Sequence, residues 1–189
     1  MLNLVKVVFL DRDGVINKYP GDTEYVKSWE EFQFLPNIKP ALKKLNDHSY
    51  KLFVISNQAG VSKGIYSQEE LGRITRNMLL ELKAAGVTIS NVCYCTHRKE
   101  DNCSCRKPRL GLLESVIAGL KKDGSVIHAA DSYFIGDTIS DVETGRSAGL
   151  KTILVFSGKE KPENKKGWQA QPDFAVLDLS QAVEIILRK

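Results

Sequence analysis

The sequence predicts an α/β fold, a doubly wound, Rossmann-like parallel sheet covered by helices. Three observations lead there. Short runs of branched and aromatic apolar residues recur along the chain, as in strands buried on both faces. Segments of helical period alternate with them, the order expected of βαβ units. Each of several apolar runs breaks abruptly into polar residues, at the strand ends where open α/β sheets collect ligands. With 189 residues, no repeat and no long linker, a single domain over residues 1–189 is expected.

The elements follow in order. Val5, Val7, Val8, Phe9 and Leu10 read as a first buried strand that ends in Asp11-Arg12-Asp13-Gly14. The two-residue period of a strand puts Asp11 and Asp13 on one side, and Gly14 lets the backbone turn away. Residues 15–35 mix turn residues with Tyr19, Tyr25, Trp29, Phe32 and Phe34, an ordered excursion over the strand's end. Asn37 is placed as the cap of a helix running to about Asp47. Leu52 to Ile55 is a second strand, ending in Ser56-Asn57-Gln58-Ala59-Gly60. Ser67-Gln68-Glu69-Glu70 is a capping box, and it opens a helix with Leu71, Ile74, Met78 and Leu82 on its apolar face, stopped by Gly86. A third strand lies around Val92-Cys93-Tyr94 and leads into a cysteine-rich loop. Leu110 to Leu120 is helical, with Leu113, Val116, Ile117 and Leu120 on one face. Tyr133 to Ile135 is a fourth strand, ending in Gly136-Asp137, and Ser140 to Ala148 is a helix stopped by Gly149. Thr152 to Val155 is a fifth strand, residues 157–171 a polar loop, Phe174 to Val176 a sixth strand and Leu179 to Leu187 a closing helix.

Composition narrows the functions. A net charge of +4 is mild, and the Lys and Arg residues are scattered, which by itself favours a small anionic ligand no less than nucleic acid; with no basic groove evident, no nucleic-acid partner is expected. No apolar run reaches membrane-spanning length. Lys6 interrupts the first apolar run and Asp11 follows at once, unlike a signal peptide, so a cytoplasmic protein with no membrane partner is expected. All four Cys lie between Cys93 and Cys105, a clustering that in a reducing compartment favours metal over disulfides.

The strand ends converge on one crevice in such a fold. They bring Asp11, Asp13, Ser56, Lys107, Asp137 and Asp141 together. Carboxylates with few other ligands suit Mg²⁺, which keeps several waters and bridges phosphate. A Lys and a hydroxyl beside it suit phosphate oxygens. Phosphoryl transfer to a carboxylate needs all of these.

Asp11-x-Asp13-Gly14, Ser56-Asn57-Gln58, Arg106-Lys107-Pro108 and Gly136-Asp137-x-x-x-Asp141 stand in the order of the four motifs of the haloacid-dehalogenase (HAD) phosphatases, which the chain resembles over nearly its whole length. The resemblance implies a HAD fold with a minimal cap. It implies that Asp11 is the nucleophile and Asp13 the acid/base, with Ser56 and Lys107 on the phosphoryl group. It also implies Mg²⁺ on Asp11, the Asp13 backbone carbonyl and Asp137. Asp141, one helical turn beyond Asp137, faces the same way and is placed behind the site, paired with Lys107.

The loop Cys95-Thr96-His97 to Cys103-Ser104-Cys105 carries thiols and an imidazole in a pattern that suits tetrahedral Zn²⁺. Cys93, Cys95 and His97 share strand parity, so spacing alone fits both a four-cysteine site using Cys93 and a three-cysteine site using His97. The loop resembles that of the zinc-containing branch of these phosphatases, which acts on heptose bisphosphates and histidinol phosphate. That resemblance implies Cys95, His97, Cys103 and Cys105 as ligands of a structural zinc, with Cys93 in the core. It implies removal of the 7-phosphate of a heptose 1,7-bisphosphate, for nucleotide-activated heptose and lipopolysaccharide synthesis. Histidinol phosphate is the nearest rival substrate, and a non-catalytic receiver-like domain the rival of another class. The partner expected is a small phosphorylated sugar, met by a monomer. Arg106 is expected on the second phosphate or the sugar hydroxyls, Asn57 and Gln58 on the strand-end turn with Gln58 touching the sugar, and Lys63 in a loop able to close over substrate. The charged stretch from Lys159 to Lys166 is read as a solvated loop, and Trp168 as packing.

Overall fold

The computed structural model describes residues 3–188. Its strands are β1 (Asn3–Leu10), β2 (Tyr50–Asn57), β3 (Asn91–Cys95), β4 (Ser125–Ile127), β5 (Tyr133–Gly136), β6 (Lys151–Val155) and β7 (Phe174–Val176). Its α-helices are α1 (Ile38–Asp47), α2 (Gln68–Ala84), α3 (Gly111–Lys122), α4 (Ile139–Ser147) and α5 (Leu179–Leu187). The strands form one seven-stranded sheet in the order β3-β2-β1-β5-β6-β7, with β4 alongside β1. All pairs are parallel. The chain therefore winds outward from β1 in one direction, then returns to β1 and winds outward in the other. The point of reversal lies between β1 and β5, and such a switch point opens a crevice at the strands' carboxyl ends.

Strand parity sorts the core into two layers. Val8, Leu10, Leu52, Val54 and Ile135 point to the face covered by α1, α2 and α5. Val7, Phe9, Phe53, Ile55 and Phe134 point to the face covered by α3. Helix α4 lies on this second face, where a methyl added to Gly145 would stand 2.7 Å from the Phe134 Cβ, so the helix approaches β5 closely because it has no side chain there. Both faces of β1 are buried, which is why its sequence reads as a continuous apolar run.

Three details depart from the sequence reading. Strand β4 was not expected. It is three residues long and survives by pairing Ser125, Val126 and Ile127 with Asn3, Leu4 and Val5, a ladder that no local pattern announces. Asn37 precedes α1 as expected but does not cap it with its side chain, since it adopts a left-handed backbone (φ 60°, ψ 12°). Only half of the capping box at α2 forms. Ser67 Oγ accepts from the Glu70 N–H at 3.0 Å, but the Glu70 carboxylate receives Arg73 Nε at 3.0 Å instead of turning back. Among the described residues no helix is long and apolar enough to cross a membrane.

Phe9 lies at the centre of the second layer, its ring centroid 5.7 Å from that of Phe53 and 6.1 Å from that of Phe134. Phe9→Ala is predicted to cost about 3–5 kcal/mol of stability, read as a lowered urea midpoint at unchanged slope.

Candidate active site

Strand β1 delivers Asp11 to the crevice. Its N–H still bonds the Ile135 carbonyl at 3.0 Å, so Asp11 is held against β5 although the strand itself ends at Leu10. Its carboxylate accepts from the Arg12 N–H at 2.7 Å and pairs with Lys107 Nζ at 2.9 Å. Lys107 is buried, and its ammonium is fully committed: 2.6 Å to Asp141 Oδ1 and 2.8 Å to the Ile55 carbonyl, besides Asp11. Burial works against that charge, but Asp11 and Asp141 raise the Lys107 pKa above its ordinary value. Asn57 brackets the Lys107 peptide, accepting from its N–H at 3.1 Å and donating to its carbonyl at 3.2 Å. The end of β2 thus sets the main chain from which Lys107 reaches back.

Asp137 follows β5 and is buried. Its Oδ2 accepts from the Lys159 N–H at 2.8 Å. Two glycines make room for it. A Cβ on Gly14 (φ +79°) would come within 2.3 Å of Asp137 Oδ2, and one on Gly158 within 2.0 Å. Thr138 donates its N–H (3.1 Å) and its hydroxyl (2.6 Å) to Asp141 Oδ2, so the start of α4 fixes Asp141 for Lys107. Asp11, Asp137 and Asp141 each offer a carboxylate oxygen, all within 4.8 Å of one another. Burial raises the Asp11 pKa to about 6, with Lys107 opposing and Asp141 adding to the rise. Burial, then the charges of Asp11 and Asp141, holds Asp137 well above the usual carboxylate range. A hard divalent cation is what such a cluster lacks, and its all-oxygen donor set fits Mg²⁺. The commitments of Asp141 to Lys107 and Thr138 leave Asp11 and Asp137 as the freer donors.

Asp13 is held by a separate set of donors. Arg12, whose side chain is wholly buried, gives Nη2 to both carboxylate oxygens (2.9 and 3.1 Å) and Nε to Oδ1 at 3.2 Å. Asn17 Nδ2 donates to Oδ1 at 2.8 Å and Gln58 Nε2 to Oδ2 at 2.8 Å. Gln58 in turn accepts from the Tyr66 hydroxyl at 2.6 Å. This frame fixes where Asp13 points. Neither Arg12 nor Asn17 was singled out from sequence. An arginine between two candidate acids was the available signal.

Asp11, Asp13, Ser56, Asn57, Arg106, Lys107 and Asp137 line one cleft of about 220 Å³, joined by Tyr19, Asp22, Tyr25, Thr138 and Lys159. A roomier groove of about 680 Å³ beside Trp168 is lined by Glu143, Glu160 and Glu163 and by no lysine or arginine that could meet a phosphate. Three expectations about the rim change. Gln58 is buried, with its amide on Asp13 and Ser56, so it braces Asp13 from behind. Lys63 is exposed outside the cleft lining, its Nζ 5.5 Å from the Tyr25 ring. Lys159, assigned to a solvated loop, reaches the cleft. Trp168 does pack, stacked on Phe156 at 6.2 Å.

The second cluster gathers Cys95, His97, Cys103 and Cys105. Cys95 Sγ lies 3.6 Å from Cys103 Sγ and 3.2 Å from Cys105 Sγ, and His97 Nδ1 lies 3.7 and 3.2 Å from Cys95 and Cys105. Edges of a tetrahedron around zinc with ordinary Zn–S and Zn–N bonds are about 3.5–3.8 Å, so the donors nearly match. Cys93 is outside this group. It pairs across to Ile55 in the sheet and packs in the second layer, so of the two sets that spacing left open the one gathered here includes His97. Burial pushes Cys95 up to about 12, whereas at Cys103 burial is outweighed by hydrogen bonds from Cys105 and Cys95, leaving it at about 7. Thiols sharing protons in this way become thiolates together only when a cation replaces the protons. The loop is wired to the cleft: Gln58 N–H bonds the Cys95 carbonyl at 2.7 Å, and Arg106 Nη1 the His97 carbonyl at 3.2 Å.

A nucleophile-ready carboxylate, a buried lysine and a carboxylate cluster at this switch point define a hydrolase of the haloacid-dehalogenase type. A family profile described as HAD-hydrolase-like matches residues 104–182. The D-glycero-D-manno-heptose-1,7-bisphosphate 7-phosphatase of Chlorobaculum tepidum is 37% identical over 186 residues, 94% of this chain and 92% of that protein. The D-glycero-beta-D-manno-heptose-1,7-bisphosphate 7-phosphatase of Haemophilus ducreyi is 36% identical over 162 residues, 82% of this chain and 85% of that one. The crystal structure of D,D-heptose 1,7-bisphosphate phosphatase from B. bronchiseptica, complexed with magnesium and phosphate, superposes with a TM-score of 0.85 at 26% identity, covering 97% of this chain and 99% of the other. The chain belongs to the D-glycero-D-manno-heptose-1,7-bisphosphate 7-phosphatase family.

Because Gly158 abuts Asp137, Gly158→Ala is predicted to displace that carboxylate. Activity is expected to fall at least ~10-fold, more than a stability loss of about 1–3 kcal/mol read from urea unfolding accounts for in protein that remains folded at assay temperature. Wild-type turnover in this variant contradicts the reading of Asp137 as part of the site.

Proposed function

We propose that this protein is a Mg²⁺-dependent phosphatase of one catalytic domain. It removes the 7-phosphate of D-glycero-D-manno-heptose 1,7-bisphosphate in the cytoplasm, for the synthesis of nucleotide-activated heptose. The observation that supports it most is the buried Lys107 bridging Asp11 and Asp141 at the floor of the cleft, in a chain of this family.

In this reading an Asp11 carboxylate oxygen attacks phosphorus in line with the bond to the sugar O7. That bond breaks as an aspartyl-phosphate forms. Asp13 gives its proton to the departing O7, then takes one from the water that attacks the same phosphorus. Phosphate leaves, and Asp11 is restored. Lys107 and Ser56 hold the non-bridging oxygens as charge shifts onto them. Asp11, the Asp13 backbone carbonyl and Asp137 would hold Mg²⁺, which supplies neutralisation of carboxylate and phosphoryl charge. Arg12, Asn17 and Gln58 keep Asp13 aimed at the leaving side. Arg106 and Asn57 line the cleft and are the residues against which the sugar would lie. Zinc on Cys95, His97, Cys103 and Cys105 leaves no ligand position for water, so its role is to hold the loop that carries Arg106 and Lys107.

The test is phosphate release from both anomers of the heptose bisphosphate, histidinol phosphate and common hexose phosphates, with and without Mg²⁺. The bisphosphate is expected to lead by kcat/KM, and Asp11→Asn to lose at least ~10³-fold. Wild-type turnover by Asp11→Asn rules out the covalent route, and histidinol phosphate in first place rules out the assigned substrate. Cys103→Ser is expected to lose zinc, measured by atomic emission, and most activity together. Full activity without zinc removes the positional role of the loop.

A further inference from the structure

Lys159 is fixed at its main chain and half exposed at its side chain. Its N–H is bound to Asp137, and the next residue, Glu160, gives its N–H to the Asp137 carbonyl at 3.0 Å. Ahead of it, Ser157 Oγ donates to the Gly14 carbonyl at 2.6 Å, and Lys161 Nζ ties the loop to itself through the Gly158 carbonyl at 2.8 Å. The root of Lys159 is therefore set by the catalytic carboxylates. Its ammonium reaches over the cleft and rests on Asp22 Oδ1 at 3.1 Å, with the two side chains 48% and 71% exposed. Asp22 belongs to the excursion over the end of β1 and also accepts from the Tyr19 hydroxyl at 2.7 Å. All three residues line the cleft.

An exposed lysine–carboxylate pair contributes little on its own and is readily exchanged. A phosphate dianion offers the ammonium more charge and more acceptor oxygens than a carboxylate does. Asp22 thus occupies, at the rim, the place of an anion that is not part of the transferred group. Arg106, the other cation of the rim, is tied back to the zinc loop through the His97 carbonyl. Resting on the bisphosphatase reading above, we propose that Lys159 is a specificity-determining residue, which leaves Asp22 to bind the non-transferred phosphate of the substrate. Recognition of that phosphate then releases Asp22 and, with it, the excursion that carries Tyr19.

The test compares two substrates that differ only in the second phosphate, the heptose 1,7-bisphosphate and the heptose 7-phosphate. The readout is the ratio of their kcat/KM values, in which any general loss of activity cancels. In Lys159→Met the ratio is expected to fall about 10- to 100-fold, through KM for the bisphosphate. Asp22→Asn is expected to raise it about 2- to 5-fold, and to do nothing in the Lys159→Met background. A wild-type ratio that persists in Lys159→Met overturns the proposal while leaving the phosphatase reading intact. So does a ratio abolished by Arg106→Met and untouched by Lys159→Met. A wild-type enzyme with no preference between the two sugars overturns the substrate reading and this proposal together.

Discussion

Three carboxylates share a buried site with one ammonium, and the surrounding structure follows from that imbalance. Asp11, Asp137 and Asp141 repel one another where water cannot screen them, and burial alone raises Asp11 and Asp137 toward protonation. Lys107 offsets part of the repulsion by standing between Asp11 and Asp141. The Thr138 amide and hydroxyl at the start of α4 stabilise Asp141, and the Lys159 amide does the same for Asp137. What remains is a pair of carboxyl groups, Asp11 and Asp137, that line the cleft and are held above the usual carboxylate range. A site left in this condition is a poor acid reservoir and a good cation receptor, because a divalent ion lowers both pKa values where a second lysine would consume the space needed by phosphate.

Lys107 comes from a distant part of the chain, so its position has to be secured independently of β1. The cysteine loop does this from one side and Asn57 from the other. Cys105 lies two residues before Lys107, and the Cys95 carbonyl is bound to the amide of Gln58, whose side chain holds Asp13. Asp11, Asp13 and Lys107 are therefore referenced to the same few peptides at the ends of β2 and β3. A metal at the loop would contribute rigidity rather than chemistry. The energetic logic is that loops pay an entropy of ordering that a short polar segment cannot recover by burial. The segment from His97 to Cys103 is polar and largely exposed, and has no apolar means of staying in place.

How much of this was legible in the sequence depends on whether the signal was local. Buried parallel strands announce themselves by apolar runs, so β1, β2 and β5 were readable, as was the chemistry of the residues ending them. Strand β4 was not, since three residues carry no period and its pairing with Asn3 to Val5 is non-local. The same division holds at the site. Asp11, Ser56 and Asp137 sit at strand ends, where position along the chain predicts position in space, whereas Lys107 lies in the loop between β3 and α3 and was found by its motif. Lys159 sits in a loop rich in lysine and glutamate, and the bond from its amide to Asp137 and the contact of its ammonium with Asp22, neither announced by a local pattern, bring it to the cleft. Gln58 could be placed at the turn, but the direction of its side chain depends on Tyr66 and Arg12, which no spacing rule connects to it.

The cleft has no covering domain among the described residues, and this shifts selection to its rim. Chemistry at the floor is generic, because any phosphate monoester presents the same oxygens to Lys107 and Ser56. Discrimination has to come from groups that do not touch the transferred phosphoryl. The rim supplies few: Arg106 on the zinc loop, Asn57 on the strand-end turn, and Lys159 facing Asp22 across the opening. Two of these are cations on separate loops, each anchored by its neighbours to the catalytic carboxylates or to the cysteine cluster. In the proposed reading, a substrate with anionic groups at both ends engages floor and rim at once, whereas a monophosphate leaves Lys159 paired with Asp22. Openness and specificity are then compatible, since the distance between two anchored charges measures the substrate in place of an enclosing cap.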